Sequence, residues 1–122
     1  MTDIAEKKVA ILGSTGSIGL NALDVASSMG GLIDVVALTA NRNIEVLASQ
    51  IAKFRPRMVA VGDERAVQEI AGLAESHGTE VLWGEDGLVR VAELEAADLV
   101  LNAVVGAVGI APTLAAVRAG KT

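Results

Sequence analysis

Apolar residues recur along this chain in two alternating rhythms. Short runs rich in Val, Ile, Leu and Ala predict strands over Lys8–Leu12, Ile33–Thr39, Arg57–Val61, Thr79–Trp83 and Asp98–Val104. Between them the apolar positions fall at three- and four-residue steps, which predicts helices. The first spans Ser17–Met29, with Ile18, Ala22, Val25, Ala26 and Met29 as its apolar face and Gly30-Gly31 as its stop. The second spans Ile44–Phe54, capped by Asn43 and closed before Pro56. The third spans Glu64–Ser76, with Asp63 as cap and Gly78 past its end. A short fourth helix over Leu88–Leu94 is expected to be entered through "GEDG", and a fifth spans Pro112–Ala119 with Pro in its first turn and Gly120 beyond it.

Strand and helix therefore alternate five times. That order predicts parallel pairing with right-handed crossovers: an α/β, doubly wound, mostly parallel Rossmann-like sheet with helices on both faces. A common doubly wound order uses six strands. Here the last predicted helix is followed only by "KT", so residues 1–122 are read as one domain that is a fragment of a longer protein.

The junction after the first strand carries the candidate chemistry. In "VAILGSTGSIGLNALDVA", Gly13, Gly16 and Gly19 stand three apart between a strand and a helix. This is the context of a dinucleotide-binding turn. Gly13 would allow the turn, Gly16 a close approach of backbone to a diphosphate, and Gly19 close packing of the helix. The amides that open the helix favour an anion by roughly 0.3–2 kcal/mol, and the hydroxyls of Ser14, Thr15 and Ser17 are further donors. The plain alternative is a tight turn with no ligand, which needs fewer glycines. A phosphate loop of the Gly-Lys-Ser/Thr kind is excluded, because Leu20-Asn21 follows Gly19.

A second landmark is "TANRN" at the tip of the second strand. An NAD enzyme tends to place an acid there, about 20 residues past the glycines. This chain has Asn41, Arg42 and Asn43 and no acid. A guanidinium can fork onto a 2′-phosphate, a charge-assisted contact worth roughly 1.5–3 kcal/mol, which favours NADP over NAD. The alternative makes Arg42 a solvated loop residue and Asn43 only a cap; Asn43 can also do both. A third landmark, "NAVVGAVGIAP", offers small residues at a strand's carboxyl end, suited to the nicotinamide side of a cofactor or to a plain loop.

Composition narrows the classes. Hydrophobic residues make up 52% of 122, with one Trp, one Phe and no Tyr, and the net charge is −5. That balance argues against a general nucleic-acid or anionic-membrane surface, which needs a basic face, and leaves room for local basic spots. With no cysteine there is neither a disulfide nor a thiolate metal site, which is compatible with a reducing cytoplasm. The polar "MTDIAEKK" start is not a signal peptide, and no apolar run approaches spanning length. His77 is read as a helix-end residue. No complete triad, acid–base pair or metal cluster stands out, so no catalytic residue and no metal ligand is assigned.

Taken together, "GSTGSIGLNALDV", "VVALTANRNIEVLASQ", "TEVLWGEDGLVRVA" and "NAVVGAVGIAPTLAAVRAGKT" closely resemble the N-terminal region of the 1-deoxy-D-xylulose 5-phosphate reductoisomerase family. The similarity runs from about Lys8 to Thr122. The resemblance implies an NADPH-binding domain followed by a catalytic domain with a divalent metal, Mg or Mn, and a C-terminal helical domain. It implies rearrangement of the phosphorylated sugar to an aldehyde, then reduction by NADPH to 2-C-methyl-D-erythritol 4-phosphate on the non-mevalonate isoprenoid route. A cytoplasmic homodimer is the implied assembly. The family's cofactor turn falls on Thr15, Gly16, Ser17 and Ile18, and its second loop on Asn41, Arg42 and Asn43. The metal carboxylates, substrate-phosphate ligands and an Ala-Asn-Lys-Glu run are expected beyond Thr122. The fragment alone is expected to bind NADPH weakly and to be inactive. Competing readings are an extended short-chain dehydrogenase, which would need a Tyr this chain lacks, a semialdehyde dehydrogenase-like domain, and a non-catalytic nucleotide-sensing module.

Overall fold

The computed structural model describes residues 7–29, 32–41, 43–103 and 120. Its elements run β1 (Lys7–Leu12), α1 (Ser17–Ser28), β2 (Ile33–Thr39), α2 (Ile44–Phe54), β3 (Met58–Val61), α3 (Glu64–Ser76), β4 (Glu80–Trp83), α4 (Gly84–Ala92) and β5 (Leu99–Asn102). The predicted helix over Pro112–Ala119 and the Gly30-Gly31 stop lie outside the described residues.

The strands form one sheet in the order β4-β3-β2-β1-β5, and each adjacent pair is parallel. From β1 the chain steps outward one strand at a time to β4, then returns through α4 to β5 on the other side of β1. The direction of winding reverses between β1 and β5. Ligands of open parallel sheets bind outside the carboxyl ends of the strands at such a reversal, and the glycine loop leaves β1 at that end.

Alternation along the strands divides the core into two layers. Val9 and Ile11 of β1 and Val59 and Val61 of β3 meet Leu23 and Ala26 of α1, Leu47 and Ile51 of α2 and Ile70 of α3. Ala10, Leu12, Met58 and Ala60 face the other way, onto Val91 and Ala92 of α4. Helices thus cover both faces, as the alternating pattern predicts. In β2 the alternation slips: Val9 pairs with Val35 and Ala10 with Ala37, an irregularity of the bulge kind. Val36 and Ala37 both join the α4 layer, while Leu38 and Ala40 join the other.

The two caps read from sequence are present. Asn43 Oδ1 accepts from the Val46 amide at 3.3 Å, and Asp63 Oδ1 accepts from the Ala66 amide at 3.0 Å. Two expectations need correction. The buried face of α1 is Gly19, Leu23 and Ala26; Ile18, Val25 and Met29 are 58%, 54% and 41% exposed. Contact between Gly19 and the preceding loop sets the rotation of the helix and turns those apolar side chains outward. In addition, "GEDG" is not an entry loop. It forms the first turn of α4, with Gly87 buried against Leu82 and Ala60.

Candidate functional site

The loop Gly13–Gly16 is built on backbone geometry that only part of the glycine set demands. Gly13 adopts φ +80°, the left-handed region that glycine enters without penalty. Gly19 lies where α1 passes the loop: a Cβ there would meet the Gly13 carbonyl oxygen and stand 2.7 Å from Ser14 Cα. Gly16 is different. It caps α1 with φ −82° and ψ 174°, extended backbone open to any residue, and a Cβ would meet only Gly13 O at 3.7 Å, an ordinary contact. Among the described residues neither conformation nor packing calls for glycine at 16, and the residue is exposed.

The loop is anchored from β2. Thr39 Oγ1 accepts from the Gly13 amide at 2.8 Å, and the Thr39 carbonyl accepts from the Ser14 amide at 2.8 Å. Thr39 lies between Leu38 and Ala40, which face the α1–α3 layer, so the slip in β2 determines which way its hydroxyl points. The Ser14 hydroxyl is buried and donates to Gln50 Oε1 at 2.7 Å, while Gln50 Nε2 donates to the Ser14 carbonyl at 2.9 Å. Ser14 therefore faces inward, and its hydroxyl is not among the donors at the loop's mouth, against the sequence expectation. Thr15 is half-buried, and Ser17 and Ile18 are exposed. The first-turn amides of Ser17 and Ile18 have no acceptor within the helix, and the N-cap residue, Gly16, has no side chain to cap them. With the helix dipole behind them, this end of the helix favours negative charge.

The second loop emerges at the same edge. β1 and β2 are parallel neighbours, so residues following Thr39 leave the sheet beside Gly13–Gly19. Asn41 and Asn43 are exposed there. The Asn41 carbonyl accepts from the Gly62 amide at 3.1 Å, and a Cβ on Gly62 would press on the Asn41 side chain and carbonyl. The β3 loop thus supports the β2 loop from behind. Arg42 and most of "NAVVGAVGIAP" lie outside the described residues. Sequence reasoning missed Thr39 and Gln50. The signal for Gln50 was available: it is a polar residue three positions after Leu47 and four before Phe54, beside the apolar face.

Among the described residues no three His, Cys, Asp or Glu side chains stand together as a metal site. No described helix is long and apolar enough to cross a membrane.

A parallel sheet that reverses its winding at β1, with a glycine loop leading into a helix there, defines a Rossmann-like domain of the dinucleotide-binding class. Comparison with known proteins narrows the class. The family model for 1-deoxy-D-xylulose 5-phosphate reductoisomerase matches residues 9–122, and the chain belongs to that family. The reductoisomerase of Symbiobacterium thermophilum is 48% identical over 120 residues, covering 95% of this chain and 31% of its own length. That of Halothermothrix orenii is 44% identical over 117 residues, covering 96% of this chain and 30% of its own length. The chain thus spans about three tenths of the curated relatives it matches. Among solved structures, the Zymomonas mobilis reductoisomerase in complex with NADPH superposes with a TM-score of 0.89 at 33% identity, over 96% of this chain and 31% of that one. A reductoisomerase in complex with NADPH, fosmidomycin and magnesium gives 0.87 at 33% identity, over 94% and 28%. The short-chain and semialdehyde dehydrogenase readings are not favoured.

Proposed function

We propose that this chain is the NADPH-binding domain of a 1-deoxy-D-xylulose 5-phosphate reductoisomerase, a metal-dependent enzyme of isoprenoid precursor biosynthesis. The observation that carries the reading is Gly16. It is exposed at the opening of α1, in a conformation any residue adopts, and among the described residues no neighbour excludes a Cβ. A glycine there serves an incoming group that must lie against the backbone, and the uncapped amides beside it suit a diphosphate.

In this reading Thr15, Gly16, Ser17 and Ile18 hold the diphosphate through backbone amides, with the Thr15 and Ser17 hydroxyls as added donors. Gly13 and Gly19 shape the loop, and Ser14 fixes it from inside. Asn41, Arg42 and Asn43 take the adenosine side, the Arg42 guanidinium pairing with the 2′-phosphate. The absence of an acid at the end of β2 supports NADPH over NADH, because a carboxylate would repel that phosphate. The cofactor, when bound, supplies hydride for the reductive half of the reaction. The domain's own residues bind and orient it. Rearrangement of the phosphorylated sugar, the divalent metal and the homodimer interface would belong to the rest of a longer, cytoplasmic enzyme, in keeping with the length of the relatives.

Titration of the chain with both reduced dinucleotides tests the reading. NADPH should bind and NADH should bind more weakly. Equal or tighter binding of NADH would contradict the role given to Arg42, and a reductoisomerase rate from these 122 residues alone would contradict the division of labour.

A further inference from the structure

Gln50 is a long primary amide only 6% exposed, in the interior of α2. A buried amide is tolerated when its donor and acceptor are both paired, and here both go to one residue. Gln50 Oε1 takes the Ser14 hydroxyl and Gln50 Nε2 gives to the Ser14 carbonyl, across 36 positions of sequence. The Ser14 carbonyl can only accept, which fixes the orientation of the amide group. With its own amide held by the Thr39 carbonyl, Ser14 has all three of its polar groups paired, and it is 0% exposed.

Ser14 sits between the turn at Gly13 and Thr15, so holding it holds the loop. The same helix begins immediately after Asn41–Asn43, and Gln50 lies about two turns beyond its Asn43 cap. α2 is thus a rigid element joined to both loops of the site, by its N-terminus to one and by Gln50 to the other. We propose that Gln50 is a positioning residue: its reciprocal amide–Ser14 pairing sets the glycine loop against α2, aligning the loop amides for a dinucleotide diphosphate before the ligand arrives. The proposal rests on the NADPH reading above. Gln50 does not itself touch the ligand. The role calls for a primary amide, since Glu presents two acceptors to a carbonyl and Met presents no donor and only a weak acceptor.

The test compares the chain with Gln50→Met, Gln50→Glu and Ser14→Ala by three readouts: the unfolding midpoint, amide hydrogen exchange without ligand, and NADPH titration. In Gln50→Met, exchange over residues 13–18 should quicken while that of Val9–Leu12 in β1 stays as in the unsubstituted chain. NADPH affinity should fall about tenfold, or ~1.4 kcal/mol. Ser14→Ala should loosen the same amides, and combining it with Gln50→Met should add less than the sum of the single effects. Ser14→Ala also keeps the test decisive if Gln50→Met does not fold. Unchanged loop exchange and affinity in the variants, beside normal binding by the unsubstituted chain, would overturn this inference alone. So would quickened exchange throughout β1, which marks a merely structural role. No NADPH binding by the unsubstituted chain would overturn the functional reading and this inference with it.

Discussion

Gly19 and Gly13 touch where α1 crosses the loop that precedes it, and the contact leaves no space for a side chain at 19. Gly16, midway between them, has that space. The three glycines of one motif therefore do three different things: one turns the chain, one admits the helix, and one leaves room outside it.

The pair Gly19→Ala and Gly16→Ala separates packing from binding. At 19 the added methyl meets backbone, which cannot yield as a flexible side chain would. The substitution should destabilise the chain by about 1–3 kcal/mol, read as a lower urea midpoint with unchanged slope. At 16 the stability should stay within about 1 kcal/mol of the unsubstituted chain.

Thr39→Val keeps the branched shape that suits a strand and removes the acceptor of the Gly13 amide. A fully buried donor left unpaired costs about 1–3 kcal/mol, and the Gly13 amide, part-buried, should lie at the low end of that range. The urea midpoint should fall accordingly, and amide exchange at Gly13 should quicken. A midpoint and exchange rate like those of the unsubstituted chain would show that the Thr39 hydroxyl does not anchor the loop.

Arg42→Gln should weaken NADPH by roughly 1.5–3 kcal/mol, about 10- to 150-fold, and leave NADH nearly unchanged. Parallel calorimetric titrations with the two dinucleotides check this. A loss shared equally by both would move Arg42 away from the 2′-phosphate.

Much of this arrangement was legible in the sequence because it is local. Strand runs ended where turn residues stand. The caps Asn43 and Asp63 declared themselves by residue type just ahead of apolar periodicity, and the glycine spacing located the loop. The rotation of α1 was not legible, because it follows from the approach of Gly19 to the loop, a contact that outweighs the apparent apolar face of Ile18, Val25 and Met29. The slip in β2 left no mark in "IDVVALT", a run apolar enough to suit either register. The inward turn of Ser14 depends on Gln50, 36 positions away, and no local pattern pairs them. The start of α4 was misplaced because Gly84 and Gly87 read as breakers, whereas the packing of Gly87 on Leu82 and Ala60 makes it part of the helix.

The most direct measurement is fluorescence titration of NADPH into the chain and into Gly16→Ala, with the unfolding midpoints of both recorded alongside. The account predicts saturable binding to the chain and at least about a tenfold loss in the variant, ~1.4 kcal/mol, with closely similar midpoints. Equal affinity of the two proteins for NADPH would contradict it.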